Sequence, residues 1–164
     1  MIGYDNTSVR RQDRLLDWDR AEELLRRAEY GVLSLCDAHL PYGIPVNYVW
    51  DGDTALYIHC ALQGRKLRAI EENPHASFCI VGRTQVLPRQ FTTEYESILA
   101  QGVVRPVADE DEKRRALTLL LDKYSPDERT LGLHYMEKSL PRTLVLCLDI
   151  ETLSGKCKKT TKTK

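Results

Sequence analysis

The sequence predicts a mainly β fold with a few helices (an α+β protein), in which six antiparallel strands close into a small barrel. Three observations lead there. Short runs rich in β-branched and aromatic residues alternate with turn chemistry along the chain. The strand–helix–strand rhythm that a doubly wound parallel sheet requires is missing. The first three strands are joined by short turns, so they are expected to pair as an antiparallel meander, and closing the sheet would remove its exposed edges.

Each element follows from local chemistry. Asp17 to Ala28 places Trp18, Ala21, Leu24, Leu25 and Ala28 on one helical face, with Gly31 as the expected stop. Val32 to Cys36 is a short apolar strand, and Asp37 to Pro41 is turn chemistry. Tyr42 to Trp50 reads as a second strand; Pro45 within it lacks an N–H and demands an edge position or a bulge. Asp51-Gly52-Asp53 signals a hairpin into a third strand, Ala55 to Cys60. A short helix is expected from about Arg65 to Glu72, ended by Asn73-Pro74. Ala76 to Val81 is the fourth strand, Gly82 to Thr93 a loop, and Tyr95 to Val107 the fifth strand, with Gly102 marking a bulge or bend. Asp109 to Glu112 has capping-box spacing and opens a helix that carries Leu117, Leu120, Leu121 and Tyr124 on one face. Asp127 to Lys138 is weakly helical, and Thr143 to Ile150 is the sixth strand.

Composition narrows the function classes. The chain has 164 residues, enough for one domain: an arm over residues 1–14, a folded unit over 15–155 and a basic, disordered tail over 156–164. Lys+Arg and Asp+Glu each number 24, so a nucleic-acid binder working by bulk charge is not expected. The tail alone carries five lysines. No apolar run approaches the roughly 20 residues of a membrane helix, and the N-terminus lacks the apolar core of a secretion signal. The five cysteines are odd in number and show no C-x-x-C spacing. Cys36, Cys79 and Cys147 lie in apolar runs and read as small buried hydrophobes, which suits a reducing, cytoplasmic compartment. The four histidines are well separated, so no metal site is expected.

Two segments carry candidate chemistry. In IHCALQGRK, residues 58–66, a strand ends at His59 and Cys60, and Gly64 leads into a helix whose first turn holds Arg65 and Lys66. Helix N-termini present unpaired N–H groups and the positive dipole end, so cations there are disfavoured unless an anion is bound. Either a phosphate reverses the local sign, or both side chains reach away into water. In YGIPVNYVW, residues 42–50, Asn47 is a polar residue in an apolar strand; it faces solvent or hydrogen-bonds a ligand held against the sheet. His59 reaches the same space if the two share a face.

These residues give the chain a family resemblance. The pieces AEYGVLSLCDAHLPYGIPVNYVWDGDTALYIHCALQGRK, NPHASFCIVG, FTTEYESILAQGVVRPV and LDIETLSGK occur in order over about residues 28–156. The chain resembles the pyridoxamine 5′-phosphate oxidase-related superfamily of FMN-binding split barrels, and within it the nitroimidazole-resistance (Nim-type) flavoproteins. The resemblance implies a homodimer with FMN at the subunit interface. It matches Pro45, Val46, Asn47 and Tyr48 to the strand beside the flavin, and Arg65 and Lys66, after Gly64, to the pair that grips its phosphate. It matches His59 and Cys60 to the strand end beside that phosphate. Tyr95 to Ile98, with Ser97 among them, is similar to the strand that approaches from the partner subunit.

The same resemblance implies an oxidoreductase that passes electrons from NAD(P)H through FMN to a small acceptor such as a nitro-aromatic. If an acid or base takes part, His59 is the candidate catalytic residue. Members that oxidise pyridoxamine phosphate end in a segment with Arg and Trp; the end here, LDIETLSGKCKKTTKTK, has neither, so that activity is not expected. Two alternatives stand beside the enzyme reading: a flavin sensor or reservoir without efficient turnover, and a split barrel that uses haem or deazaflavin. Neither a membrane nor nucleic acid is expected as partner.

Overall fold

The computed structural model describes residues 3–159. Helix α1, Trp18–Arg27, starts where Asp17 accepts a hydrogen bond from the Arg20 N–H at 2.9 Å, and it buries Ala21, Leu24 and Leu25. The helix ends at Ala28, ahead of Gly31, which lies inside a strand instead of stopping the helix. A Cβ at Gly31 would come 2.3 Å from the Phe78 ring, so close packing is what requires glycine there.

Among the described residues the sheet has eight strands, not six. They are β1 (Gly3–Tyr4), β2 (Tyr30–Asp37), β3 (Leu40–Asn47), β4 (Val49–Trp50), β5 (Ala55–Cys60), β6 (His75–Leu87), β7 (Thr92–Pro106) and β8 (Leu144–Lys158). The path runs β3-β2-β6-β7-β8-β5-β4, all antiparallel, with β1 parallel to β8 off the path.

The expected meander is corrected at one residue. β2–β3 and β4–β5 are hairpins as expected, but β3 and β5 do not pair. The predicted strand 42–50 breaks at Tyr48, and its two halves lie at opposite ends of the path. Since Asn47 and Val49 are joined through Tyr48, the sheet curls until its edges meet there without a hydrogen-bonded seam. The closed six-stranded barrel is therefore replaced by an open, curled sheet. Tyr48 is fully buried and its hydroxyl donates to the Leu25 carbonyl at 2.8 Å. Its N–H donates to the Tyr124 hydroxyl at 3.0 Å, and its carbonyl accepts from Lys123 at 3.0 Å, so helix contacts replace the ladder.

Pro45 sits in β3, the first strand of the path, as an edge proline should. Gly102 marks the bulge: Gln101 pairs with Thr152 and Gly102 with Ile150, leaving Glu151 as the extra residue on β8. Two further boundaries move. The loop expected over 82–93 is a projecting hairpin, with β6 reaching Leu87 and β7 starting at Thr92. Its residues are exposed on both faces, so no period-2 pattern announces it. The tail expected from Lys156 is strand-paired through Lys158; residues 160–164 lie outside the described residues.

Helix α2 spans Arg65–Glu72, α3 Glu110–Tyr124 and α4 Arg129–Ser139. Asp109 caps α3 by accepting from the Glu112 N–H at 2.7 Å. β5 and β8 are apolar on both faces because both are covered. Leu56, Ile58, Leu146 and Leu148 point into the sheet's interior with α1, while Ala55, Tyr57, Val145 and Cys147 pack under Ala116 and Leu120 of α3.

A polar network ties α3 to this outer face. Tyr57 donates to Glu112 at 2.9 Å, Arg105 donates to Glu112 at 2.9 and 3.1 Å, and its Nε donates to Asp149 at 2.9 Å. The Arg105 hydrogen bonds hold the Glu112 carboxyl below its usual range, against the opposing effect of burial. A carboxylate with a lowered folded pKa contributes stability above its unfolded pKa and loses it as pH falls through the folded one. Glu112→Gln is therefore expected to be less stable than wild type at pH 6, with the gap shrinking below the usual glutamate range, as read from urea midpoints between pH 6 and 3.

Candidate functional site

The junction of β5 and α2 is built from the residues singled out in the sequence. Gly64 takes φ +148°, a conformation side chains rarely adopt, and a Cβ there would meet nothing within 4 Å. No side chain caps α2, and its first turn holds no acid. Arg65 and Lys66 occupy that turn, the unfavourable end of the helix dipole for a cation.

Arg65 is held from two sides. Its Nε donates to Asp37 at 2.6 Å, and its guanidinium lies 4.3 Å from the centre of the Tyr42 ring. Asp37 and Tyr42 come from the β2–β3 hairpin, a pairing with no sequence-local signal. The two contacts orient the fork while engaging one of its nitrogens, which leaves both Nη groups for another acceptor. Lys66 has no ion-pair partner among the described residues. An open glycine turn, uncapped helix donors, one pre-set guanidinium and one unpaired ammonium fit a phosphate group.

His59 and Cys60 end β5 beside this turn. Partial burial, and then the charge of Lys66, hold the His59 pKa below its usual value, so its ring is neutral at pH 7. Burial raises the Cys60 thiol, and Lys66 opposes this. His59 shares a wall with Asn47, as their common face would require: both line a cavity of about 640 Å³ between the sheet, α3 and α4. Asn47 also donates to the Glu29 carbonyl at 2.9 Å.

The rest of β3 divides by strand alternation. Val46 packs half-buried on the core, while Pro45 is exposed. The β2–β3 ladder keeps all its bonds only if Pro41 and Pro45 face away from β2, which puts Gly43 and Asn47 in the same phase. The free edge of β3 therefore presents their main-chain groups. Tyr48 has its polar groups taken up inside the chain, as described above.

Tyr95 and Ser97 are not brought to this region within one chain. They lie on β7, opposite Thr84 and Val81 of β6 and Lys158 and Lys156 of β8. β7 is three strands from β3 along the path.

Sequence reasoning missed Lys123. It lies 3.8 Å from the Tyr48 ring centre, and burial lowers its pKa to about 8. It also missed the role of α4 as a cavity wall. Among the described residues, no group of three or more His, Cys, Asp and Glu is placed to hold a metal, and no helix is long and apolar enough to cross a membrane. All five cysteines are free.

An open antiparallel sheet curled until its edges meet, with a cationic strand-to-helix junction on one rim, defines a split-barrel protein. The chain belongs to the pyridoxamine 5′-phosphate oxidase family, which matches residues 17–157. No match was found among curated protein sequences. Solved structures share the fold. A candidate 5-nitroimidazole antibiotic resistance protein from Bacteroides thetaiotaomicron is 21% identical, covers 88% of this chain and 86% of its own, and superposes with a TM-score of 0.75. The FAD- and haem-binding protein from Mycobacterium smegmatis is 24% identical over 91% of this chain and 75% of its own, with a TM-score of 0.77. The flavocytochrome Anf3 from Azotobacter vinelandii is 19% identical over 98% and 77%, with a TM-score of 0.78.

Proposed function

We propose that the chain is a homodimeric flavoprotein that binds FMN and passes electrons from NAD(P)H to a small acceptor such as a nitro-aromatic. The observation that carries this reading is the first turn of α2, where Arg65 and Lys66 face an open, uncapped glycine turn. Flavin- and haem-binding neighbours of the same fold support it.

FMN, when bound, supplies the redox chemistry. The chain's own residues do the rest. Arg65 and Lys66 bind the phosphate, with Asp37 and Tyr42 keeping the guanidinium in place. With FMN bound, the free edge of β3 from Pro45 to Asn47 would offer its main-chain groups to the flavin's polar atoms. Tyr48 fixes the end of that edge from inside the core. Tyr95 and Ser97 of the partner subunit would complete the site; a role from the partner fits their place in one chain, three strands from β3. Neutral His59, on the wall of the adjoining cavity, has one donor and one acceptor nitrogen and would hold or pass a proton.

The test is an absorbance scan of purified protein, followed by anaerobic titration with NADH and NADPH and then a nitro-aromatic. A yellow protein that is bleached by the nucleotide and recoloured by the acceptor is the expected result. His59→Ala is expected to keep its flavin and slow acceptor reduction by about 10²-fold, the usual worth of a positioned acid or base. A colourless protein that takes up no added FMN would overturn the reading, and unchanged turnover in the variant would make His59 structural.

A further inference from the structure

Helix α4 hides none of its residues: Leu131 and Tyr135 are 66% and 65% exposed. A surface helix normally covers its apolar stripe against a core. Here Leu131, Tyr135 and Met136 instead line the same cavity as Leu117, Leu120 and Leu121 of α3. Gly132 sets the spacing, because a Cβ at that position would come 2.2 Å from Leu121 Cδ1. The two helices stay joined on either side of this point, by Arg129 on Asp122 at 2.9 Å and by the Arg114–Glu137 pair, and the cavity of about 640 Å³ lies in the groove they form with Asn47 and His59. That volume lies within the usual range for small-molecule sites, about 300–1,000 Å³.

The lining selects the ligand's charge. Among the described residues no lysine or arginine lines the cavity, and the one carboxylate on its wall is the exposed Glu128. An anion would find no counter-charge on this wall, and a cation would find one at Glu128. The polar atoms on the sheet wall belong to Asn47 and to His59, which stays neutral. A carbonyl oxygen can accept from such an imidazole while its ring contacts the leucines and Met136.

We propose that this cavity binds a neutral, mainly apolar quinone of about two fused rings, one carbonyl against His59 and the ring along the apolar wall that α3 and α4 share. This names an acceptor class for the reading above and rests on that reading only for the source of the electrons. Binding itself does not require flavin.

Calorimetric titration of the purified dimer or monomer, with and without added FMN, with 2-methyl-1,4-naphthoquinone tests it. Saturable binding at one site per chain is expected. Met136→Trp on α4 and Leu117→Trp on α3, each filling the cavity from its own side, are expected to weaken that binding at least about tenfold. Both should leave the FMN content at the wild-type level, and circular dichroism checks that each is folded. No binding to wild type, or unchanged binding in both folded variants, would overturn the proposal. Haemin that displaces the quinone and shows a ligation spectrum lost in His59→Ala would overturn the chosen class. If FMN fails to bind while the naphthoquinone binds and both variants weaken it, the quinone site stands and the flavin reading falls.

Discussion

Replacing Arg65 and Lys66 together by alanine is expected to give a folded protein whose FMN affinity falls by about 10²–10⁴-fold. Charge-assisted hydrogen bonds contribute about 1.5–3 kcal/mol each, so losing two groups removes about 3–6 kcal/mol of binding. The fold should tolerate the change. Arg65 is exposed and Lys66 half-buried, while Ala69 and Ile70 anchor the buried face of α2. The Arg65–Asp37 pair is 47% and 28% exposed, and such pairs contribute about 0–1 kcal/mol. Removing two cations from the positive end of a helix also relieves an unfavourable interaction. Fluorescence quenching of FMN measures the affinity, and thermal unfolding of the FMN-free protein measures the fold. An affinity within threefold of wild type, with the melting point unchanged, would move the phosphate away from this turn.

Gly102→Ala should have the largest effect on stability. Its added Cβ would lie 1.9 Å from the Asp149 carbonyl oxygen, 3.0 Å from its carbonyl carbon and 3.1 Å from the Glu151 nitrogen. All three atoms are backbone, fixed in the β7–β8 ladder on either side of the bulge, so no side chain can swing aside. Overpacking of a rigid site costs about 3 kcal/mol or more. At this chain length, 3 kcal/mol lowers Tm by roughly 6–12 °C. A variant that melts within 2 °C of wild type would show that the two strands can slide apart at the bulge.

Much of the candidate site was legible in residue types alone. A glycine followed by two cations at a helix start contradicts the dipole rule, and such a conflict points to an anion. Pro45 announced an edge strand because it cannot donate to a second neighbour. The cavity was not legible. Leu117, Leu121 and Tyr124 read as one apolar helix face, which is what a core face also looks like, and only the placement of α4 leaves space beside them. The Asp37 and Tyr42 clamp on Arg65 was equally silent, because both partners lie more than twenty residues upstream.

The sequence by itself determined the local elements of this protein: the capped starts of α1 and α3, the glycine turns, the edge proline and the cationic first turn of α2. Each depends on bonds and torsions within a few residues, and so is written in neighbouring letters. Only the tertiary structure decided that the strand through Tyr48 breaks, that the sheet stays open where its edges meet, and that Asn47 and His59 share one wall. Those outcomes rest on hydrogen bonds to helices far along the chain, Tyr124 and Lys123 on Tyr48 above all. Strand alternation cannot report which distant partner will satisfy a backbone group.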